Sequence, residues 1–554
     1  MNKILRYLFF IPVVAGAFHA CHKLDVAPKA EISSSAFPQT EAQFQAVIGP
    51  LYTQLRSSYA LDYWFVQSCS SDEAILPAYG GNWYDGGKYV ELHLHTWTKD
   101  NAWLNSAYAY ASNLIGLCNQ TIYILKDAPA GSVKNRSVAQ VRAMRALGYW
   151  MLMDMYGNVP LDTAYGDTQL KTNATRSQVF SYVEGELKNV LSDLPTTVGA
   201  STYGKPTRYM AWSLLAKMYL NAEVYTGTAR NNECIAVCDS IINAASYSLQ
   251  PRASYLSQFA PTNGASMPEF IFAIPYDPTT SNGYLFHARY DLNRNLGMKY
   301  KYQGSTVGTN VSPIVNKTTG NGLINSKPSG PRATLPSFLK YFDDANDIRN
   351  KQWLGGYQYW DDGSPIMVQT TKKGYDSKYT GTDGTSEYIY HLFLDTTITL
   401  RADPATLDLG NDELAWNMGV RNIKFLADYN NATSRNQSND APIFRYSDIL
   451  LMKAEAILRG GSATGGQTPL TLVNALRAQR TTSAAWTSVT LEDLYKERSR
   501  EFTWECWHRN DMIRFGKFED SYGFKTNKDT YRRIFPIPTD QLSTNNKLKQ
   551  NTGY

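Results

Sequence analysis

The chain has 554 residues, 43% of them hydrophobic, enough to bury a large core and, by length alone, to form two to four domains. Its 54 basic and 49 acidic residues give a net charge of +5, too balanced for the electrostatic footprint of a nucleic-acid binder. Aromatic content is the unusual figure. At 13%, with 38 Tyr and 12 Trp, it supplies rigid apolar faces with polar tips, suited to a core and equally to stacking on sugar rings.

The chain opens with Lys3 and Arg6 ahead of an apolar run over 7–17, too short to span a bilayer, and this run ends at Ala20-Cys21. Residues 1–20 read as a secretory signal. Cys21 directly after the cut resembles the lipobox of bacterial lipoproteins, which implies acylation of Cys21 and a membrane anchor worth about 0.8 kcal/mol per buried methylene. Plain secretion with a chance cysteine is the alternative, since Phe18 and His19 stand where Leu and a small residue are commoner. No other stretch approaches the roughly 20 apolar residues of a spanning helix. Taking Lys3 and Arg6 from the 54 basic residues leaves 52 against 49 acidic, or +3 for the mature chain. Residues 21–40 are polar and patternless, a tether.

Helical periodicity begins at 41–59, where Phe44, Val47, Ile48, Leu51 and Leu55 recur at spacings of three and four. Residues 57–99, rich in Gly, Trp and Tyr, read as loop. Helices follow at 101–125, at 138–156 with Gly157 as stop, at 177–194, at 206–225 with Pro206 at the start, and at 232–245. Alternating helices with short connections predict stacked hairpins over 41–246, in a mostly α fold of tetratricopeptide-like units. An irregular bundle is the alternative, because no strict 34-residue period is present. From 247 to 444, Gly, Pro, Asn and Asp dominate, with β-like runs at 269–275 and 387–400; a stretch this long without clear elements points to a functional role. Helices return over 445–554, at 446–459, 470–480 and 491–515, before a polar end.

Four C-terminal stretches carry a family likeness. They are Phe444-Arg445-Tyr446-Ser447-Asp448 running on to Lys453-Ala454-Glu455-Ala456; Asn474-Ala475-Leu476-Arg477-Ala478-Gln479-Arg480; Glu497-Arg498 with Glu501, Glu505 and Arg509-Asn510-Asp511-Met512-Ile513-Arg514; and Phe535-Pro536-Ile537-Pro538 followed by Gln550-Asn551-Thr552-Gly553-Tyr554. In this order they resemble the SusD/RagB family of Bacteroidetes outer-membrane nutrient-binding lipoproteins. Tyr156-Gly157-Asn158-Val159-Pro160 extends the likeness toward the N-terminus. Cys506 stands where the family carries Gly, Phe515 replaces a Trp, and Asn546 and Thr552 replace prolines. The resemblance implies about four tetratricopeptide-like units beneath a loop-rich ligand face. It also implies an oligosaccharide ligand, a SusC-type TonB-dependent transporter as partner, and a place on the cell outer membrane facing outward.

Several residues could carry chemistry. Glu497, Glu501 and Glu505 lie beside Arg498, Arg500, Arg509 and Arg514, which favours a structural ion-pair network over the paired carboxylates of a glycosidase. His93 and His95 would share a face in an extended segment, but no third metal ligand is at a useful spacing. Cys69, Cys118, Cys234, Cys238 and Cys506 are an odd-numbered set, a poor disulfide framework. No cofactor is expected, and no Asp-rich loop has the spacing of a calcium hand.

The best ligand candidate is the loop Gly80-Gly81-Asn82-Trp83-Tyr84-Asp85-Gly86-Gly87, whose glycines lift Trp83 and Tyr84 out of regular structure, with Asp72 and Asp85 as acceptors for sugar hydroxyls. The family resemblance implies an acidic residue and an aromatic platform here, carried onto Asp72 and Trp83; packing of Trp83 onto the core is the plain alternative. Trp97 and Asn101 follow as lesser candidates. Tyr359 and Trp360 stand out in the middle region, beside Trp353, Tyr357, Asp361 and Asp362, and so do Tyr284, His287 and Tyr290. Arg421 reads as a ligand clamp or a structural pair. The expected function is non-catalytic glycan capture, with a surface glycan hydrolase using Asp72 or Asp85, or a protein-only scaffold, as rivals.

Overall fold

Helix α1 (Glu41–Ser58) starts where Thr40 accepts the Gln43 amide at 3.3 Å while the Gln43 side chain returns to the Thr40 amide, so two end donors are satisfied reciprocally. It buries Phe44, Ile48, Leu51 and Leu55, one stripe of the periodic pattern. The structure, a computed structural model, describes residues 37–277, 279, 301–302, 332–359, 363–365, 367–370, 379–381, 388–425 and 437–554. Cys21 and most of the tether, Tyr284, His287, Tyr290, Trp360, Asp361 and Asp362 lie outside the described residues.

Two short helices follow, α2 (Trp64–Ser68) and α3 (Lys88–Leu94), inside the segment read from sequence as loop. Trp64 to Ser68 are all buried, so no alternation of apolar and polar residues marks the helix. The hairpin scaffold then runs through α4 (Ala102–Leu125), α5 (Ser132–Tyr156), α6 (Arg176–Val190), α7 (Arg208–Leu220) and α8 (Asn231–Asn243). Each packs on the next: α4 on α5, α5 on α6, α6 on α7 and α7 on α8, with α1 laid across α4 and α5. Helix α5 begins six residues before the start expected from the sequence, and Gly157 ends it at φ 69°. Pro206 lies outside α7; Thr207 takes the cap by accepting the Met210 amide, and Asn221 ends the helix by donating to Lys217 O at 2.8 Å.

Strand β1 (Phe270–Ile274) returns the chain to the scaffold and pairs antiparallel with β8 (Ala441–Arg445), both fully buried. Between them lie β2 (Lys301–Tyr302), β3 (Gly356–Tyr357), β4 (Met367–Thr370), β5 (Tyr379–Gly381), β6 (Tyr388–His391) and β7 (Phe393–Leu394). Four form an antiparallel sheet in the order β2-β4-β6-β5, and β3 pairs with β7.

The chain closes with α9 (Tyr446–Leu458), packed on α8, then α10 (Pro469–Ala478), α11 (Leu491–Glu501) and α12 (His508–Arg514). The single helix expected over 491–515 is therefore two. Trp504 (φ 61°) and Cys506 (φ 68°) break it, the latter where a glycine would sit without strain. The polar end also holds a short helix, Thr539–Thr544. The fold is mostly α, built of tetratricopeptide-like hairpins.

Buried ion pairs tie α11 to β8 and to α9 and α12. Arg445 donates to Glu269 at 2.7 Å and to Glu501 and Glu505 at 2.8 Å, and Arg480 to Glu269 at 2.6 Å and Glu501 at 2.9 Å. Arg349 reaches Asp347, Glu497 and Glu501, while Arg498 joins Asp448 to Asp511. Burial pushes the Glu497 carboxyl up, but Arg349, Arg500 and Arg477 carry it down to about 2. These ion pairs are scaffold.

Candidate functional site

Six residues of the loop between α2 and α3 adopt left-handed backbone: Gly80, Gly81, Gly86 and Gly87, together with Trp83 (φ 68°) and Asp85 (φ 47°). A tryptophan with that backbone is an outlier, and such strain concentrates at functional positions. What holds the turn is a carboxylate 328 residues further on. Asp408 accepts the Gly80 amide at 2.8 Å, the Gly81 amide at 2.7 Å and the Gly410 amide at 2.8 Å. Ala78 exchanges backbone bonds with Leu407 and Leu409 alongside. At Gly80 a Cβ would lie 2.7 Å from that of Asn411, so no other residue fits without movement.

Trp83 is half-buried, its ring tilted 52° against Tyr89 at 6.4 Å, and Tyr89 continues into Phe65 and Trp103. Lys88 sets its ammonium 4.6 Å above Trp103 and pairs with Asp85 at 3.4 Å. Tyr84 is 37% exposed and folds its hydroxyl over Gly87, where an added Cβ would come within 3.3 Å of it. The loop therefore presents an indole anchored on one side and a phenol open to solvent.

A second aromatic group lies on the β3–β7 pair. Tyr357, 42% exposed, stacks on His391 at 4.6 Å and meets Phe393 edge-on at 4.9 Å. Tyr359, 54% exposed, stands at 80° to His391 at 4.9 Å, and the imidazole is fixed by Gln358 O at 2.7 Å. One loop layer carries both groups. Ile75 pairs with Ala333, Thr334 with Val420, and Asp395 bonds the backbone of Asn417 and Gly419. Trp360, expected beside Tyr359, lies outside the described residues.

Three expected ligand residues are corrected, because they are buried and hydrogen-bonded inside the protein. Asp72 is buried and accepts from His508 Nε2 at 2.5 Å; burial lowers that imidazole, but the Asp72 charge and hydrogen bond leave it net above its ordinary value. Trp97, 1% exposed, donates its indole N–H to the Tyr554 hydroxyl at 2.8 Å and packs on Phe535. Asn101 caps α4 by accepting the Trp103 and Leu104 amides and donates to Lys88 O and Glu91, tying α4 to α3.

His93 and His95 lie at the end of α3 among Phe518, Tyr522 and Phe524, and are not in an extended strand. Burial lowers His93 to about 3 and holds His95 well below its usual range. Arg421 is buried, donating to the carbonyls of Arg332 and Trp416. Sequence reasoning missed Asp408 and His391. Gly80-Gly81 announces a tight turn, but nothing local points to its distant anchor.

Fold and loop layer together define a helical-hairpin scaffold carrying a strained aromatic face. Residues 268–554 match the SusD family, and the chain belongs to it. It is 26% identical over 456 residues to the starch-binding protein SusD of Bacteroides thetaiotaomicron, covering 76% of this chain and 73% of that one. Among solved structures, it is similar to surface glycan-binding protein A from Bacteroides uniformis (TM-score 0.65, 20% identity, 92% of this chain and 99% of that one). It is likewise similar to the protein of that name from Bacteroides thetaiotaomicron in complex with laminarihexaose (TM-score 0.61, 18% identity, 92% and 99%).

Proposed function

We propose that the protein captures oligosaccharides at the cell surface, held by lipid on Cys21 in the outer membrane, and passes them uncut to a SusC-type TonB-dependent transporter. The observation that carries this reading is the loop 80–87, which holds Trp83 in strained backbone and leaves Tyr84 uncovered. Polarised sugar C–H groups pack on such faces through many weak contacts. Trp83, Tyr84, Asp85 and Tyr359, with Tyr357 beside it, form the proposed ligand surface. Relatives known as starch-binding and glycan-binding proteins point to the same class of ligand.

Capture without cleavage is supported by how the carboxylates are used. Asp72 is tied to His508, Asp85 faces Lys88, and Glu497, Glu501 and Glu505 are locked in arginine pairs. A glycan array probed with the full lipoprotein, followed by incubation of each hit and assay of reducing ends, tests the reading. Binding without release is expected. Release of reducing ends would favour the hydrolase, and an array without hits would favour a scaffold that grips only protein.

A further inference from the structure

On the helical side, away from the loop layer, α4 carries a glycine in its interior. Gly116 costs roughly 0.5–1 kcal/mol of helix stability relative to alanine, and among the described residues a Cβ there would have nothing within 4 Å. The space above it is a groove of ≈ 520 Å³, within the usual size range of small-ligand sites. Asn113 and Gln120 border it, and among the described residues neither side-chain amide has a hydrogen-bond partner. One carboxylate oxygen of Asp162, also a lining residue, is buried without a hydrogen bond among the described residues. Tyr165 stands at the rim 50% exposed, steadied by Tyr123 at 5.3 Å, whose own ring carries the Lys126 ammonium at 3.9 Å.

An uncovered phenol beside unpaired amides and a carboxylate is the chemistry that grips a sugar: one apolar face to stack on, with donors and acceptors around it for hydroxyls. The groove sets polar Asn113, Gln120 and Asp162 beside apolar Leu117, Ala164 and the Tyr165 ring, a mixture that matches the hydroxyls and C–H faces of a sugar. We infer that the Gly116–Tyr165 groove is a second carbohydrate site, taking a further segment of the same glycan. Gly116 lies about 20 Å along α4 from Trp103, in the aromatic cluster beneath Trp83, by the 1.5 Å rise of a helix. A long chain or polymer reaches both places; a trisaccharide fills one. This inference rests on the glycan-capturing reading of the loop.

The test is affinity electrophoresis of the full protein in gels containing laminarin, soluble starch or xylan, together with calorimetry on trisaccharides of the retaining polymer. Gly116→Trp fills the groove and Tyr165→Ala removes its stacking face; Gly116→Ala is the control that leaves it open. Gly116→Trp and Tyr165→Ala are each expected to cut polymer retention at least threefold while trisaccharide affinity stays within twofold of wild type. Gly116→Ala is expected to be retained like wild type. Unchanged retention of Tyr165→Ala, whose exposed ring is not needed for folding, overturns the inference whatever Gly116→Trp does. If Trp83→Ala abolishes retention while the groove variants keep it, the groove fails and the loop reading stands. A wild type slowed by none of the gels overturns both.

Discussion

Two regions of the molecule handle polar and aromatic groups in opposite ways. In the C-terminal helices, Arg445, Arg480, Arg349 and Arg498 are buried and paired with carboxylates from several elements, and the rings of Phe259, Phe502 and Tyr255 that pack on these guanidiniums are buried too. In the loop layer, backbone is strained at Trp83 and Asp85, and the phenols of Tyr84, Tyr357 and Tyr359 face solvent. The difference shows how stability and recognition are divided. A rigid interior over-determines the fold, so that a few loops can be held in conformations that their own sequence does not favour.

The largest expected effect comes from breaking the ionic interior. Arg445→Met leaves Glu269, Glu501 and Glu505 without their shared partner, and removal of one member of a buried ionic group costs about 3–5 kcal/mol. Denaturant unfolding should show that loss, and a midpoint within error of wild type would mean that the network is not needed.

Acid should act on the same region. Glu497 sits at about 2 in the folded chain against a usual 4.5, so the folded state holds its carboxylate charged where the unfolded state takes up a proton. Its contribution to stability is complete above pH 4.5 and is lost as pH falls toward 2. Chemical unfolding at a series of pH values should find a slope in that window that flattens in Glu497→Gln.

Asp408→Ala targets the loop layer instead. Losing the acceptor of three backbone amides should loosen residues 80–87 and lower glycan affinity about tenfold, with a smaller loss of global stability than Arg445→Met. Amide exchange at Gly80 and Gly81 would report the loosening, and unaltered protection there would remove Asp408 from the account.

The opposite pH dependence concerns Glu73, beneath the loop, which burial raises to about 7 from the usual 4.5, despite the opposing charge of His508. The folded state binds that proton more tightly than the unfolded one, so stability declines as pH rises from about 4.5 to 7. Glu73→Gln should melt slightly higher than wild type at pH 8 and no higher at pH 4; the reverse order would contradict the buried, protonated carboxyl.

Much of the scaffold was legible in the sequence, because α1, α4, α6 and α8 each bury one stripe and expose the other. α2 was not, since a helix buried all round shows no period. Nor was the break at Trp504 and Cys506, where the apolar rhythm continues through a change of backbone that only tertiary contacts impose, among them the Trp504 amide held by Glu73. For the site, the glycine pairs marked the loop 80–87 correctly as irregular. They gave no means of separating Tyr84, which stays at the surface, from Trp97 and Asn101, which turn inward to partners as distant as Tyr554. Burial of an aromatic is decided by what packs on it, and that information lies hundreds of residues away.

Titration calorimetry on the double substitution Trp83→Ala, Tyr84→Ala, with an oligosaccharide that binds the wild type, tests the central claim most directly. Loss of a stacking pair at the centre of a site is worth about 2 kcal/mol or more, so affinity should fall roughly 30-fold while the melting temperature moves by no more than about 2 °C. Wild-type affinity in that variant would contradict the account, leaving the loop as packing and placing glycan recognition elsewhere.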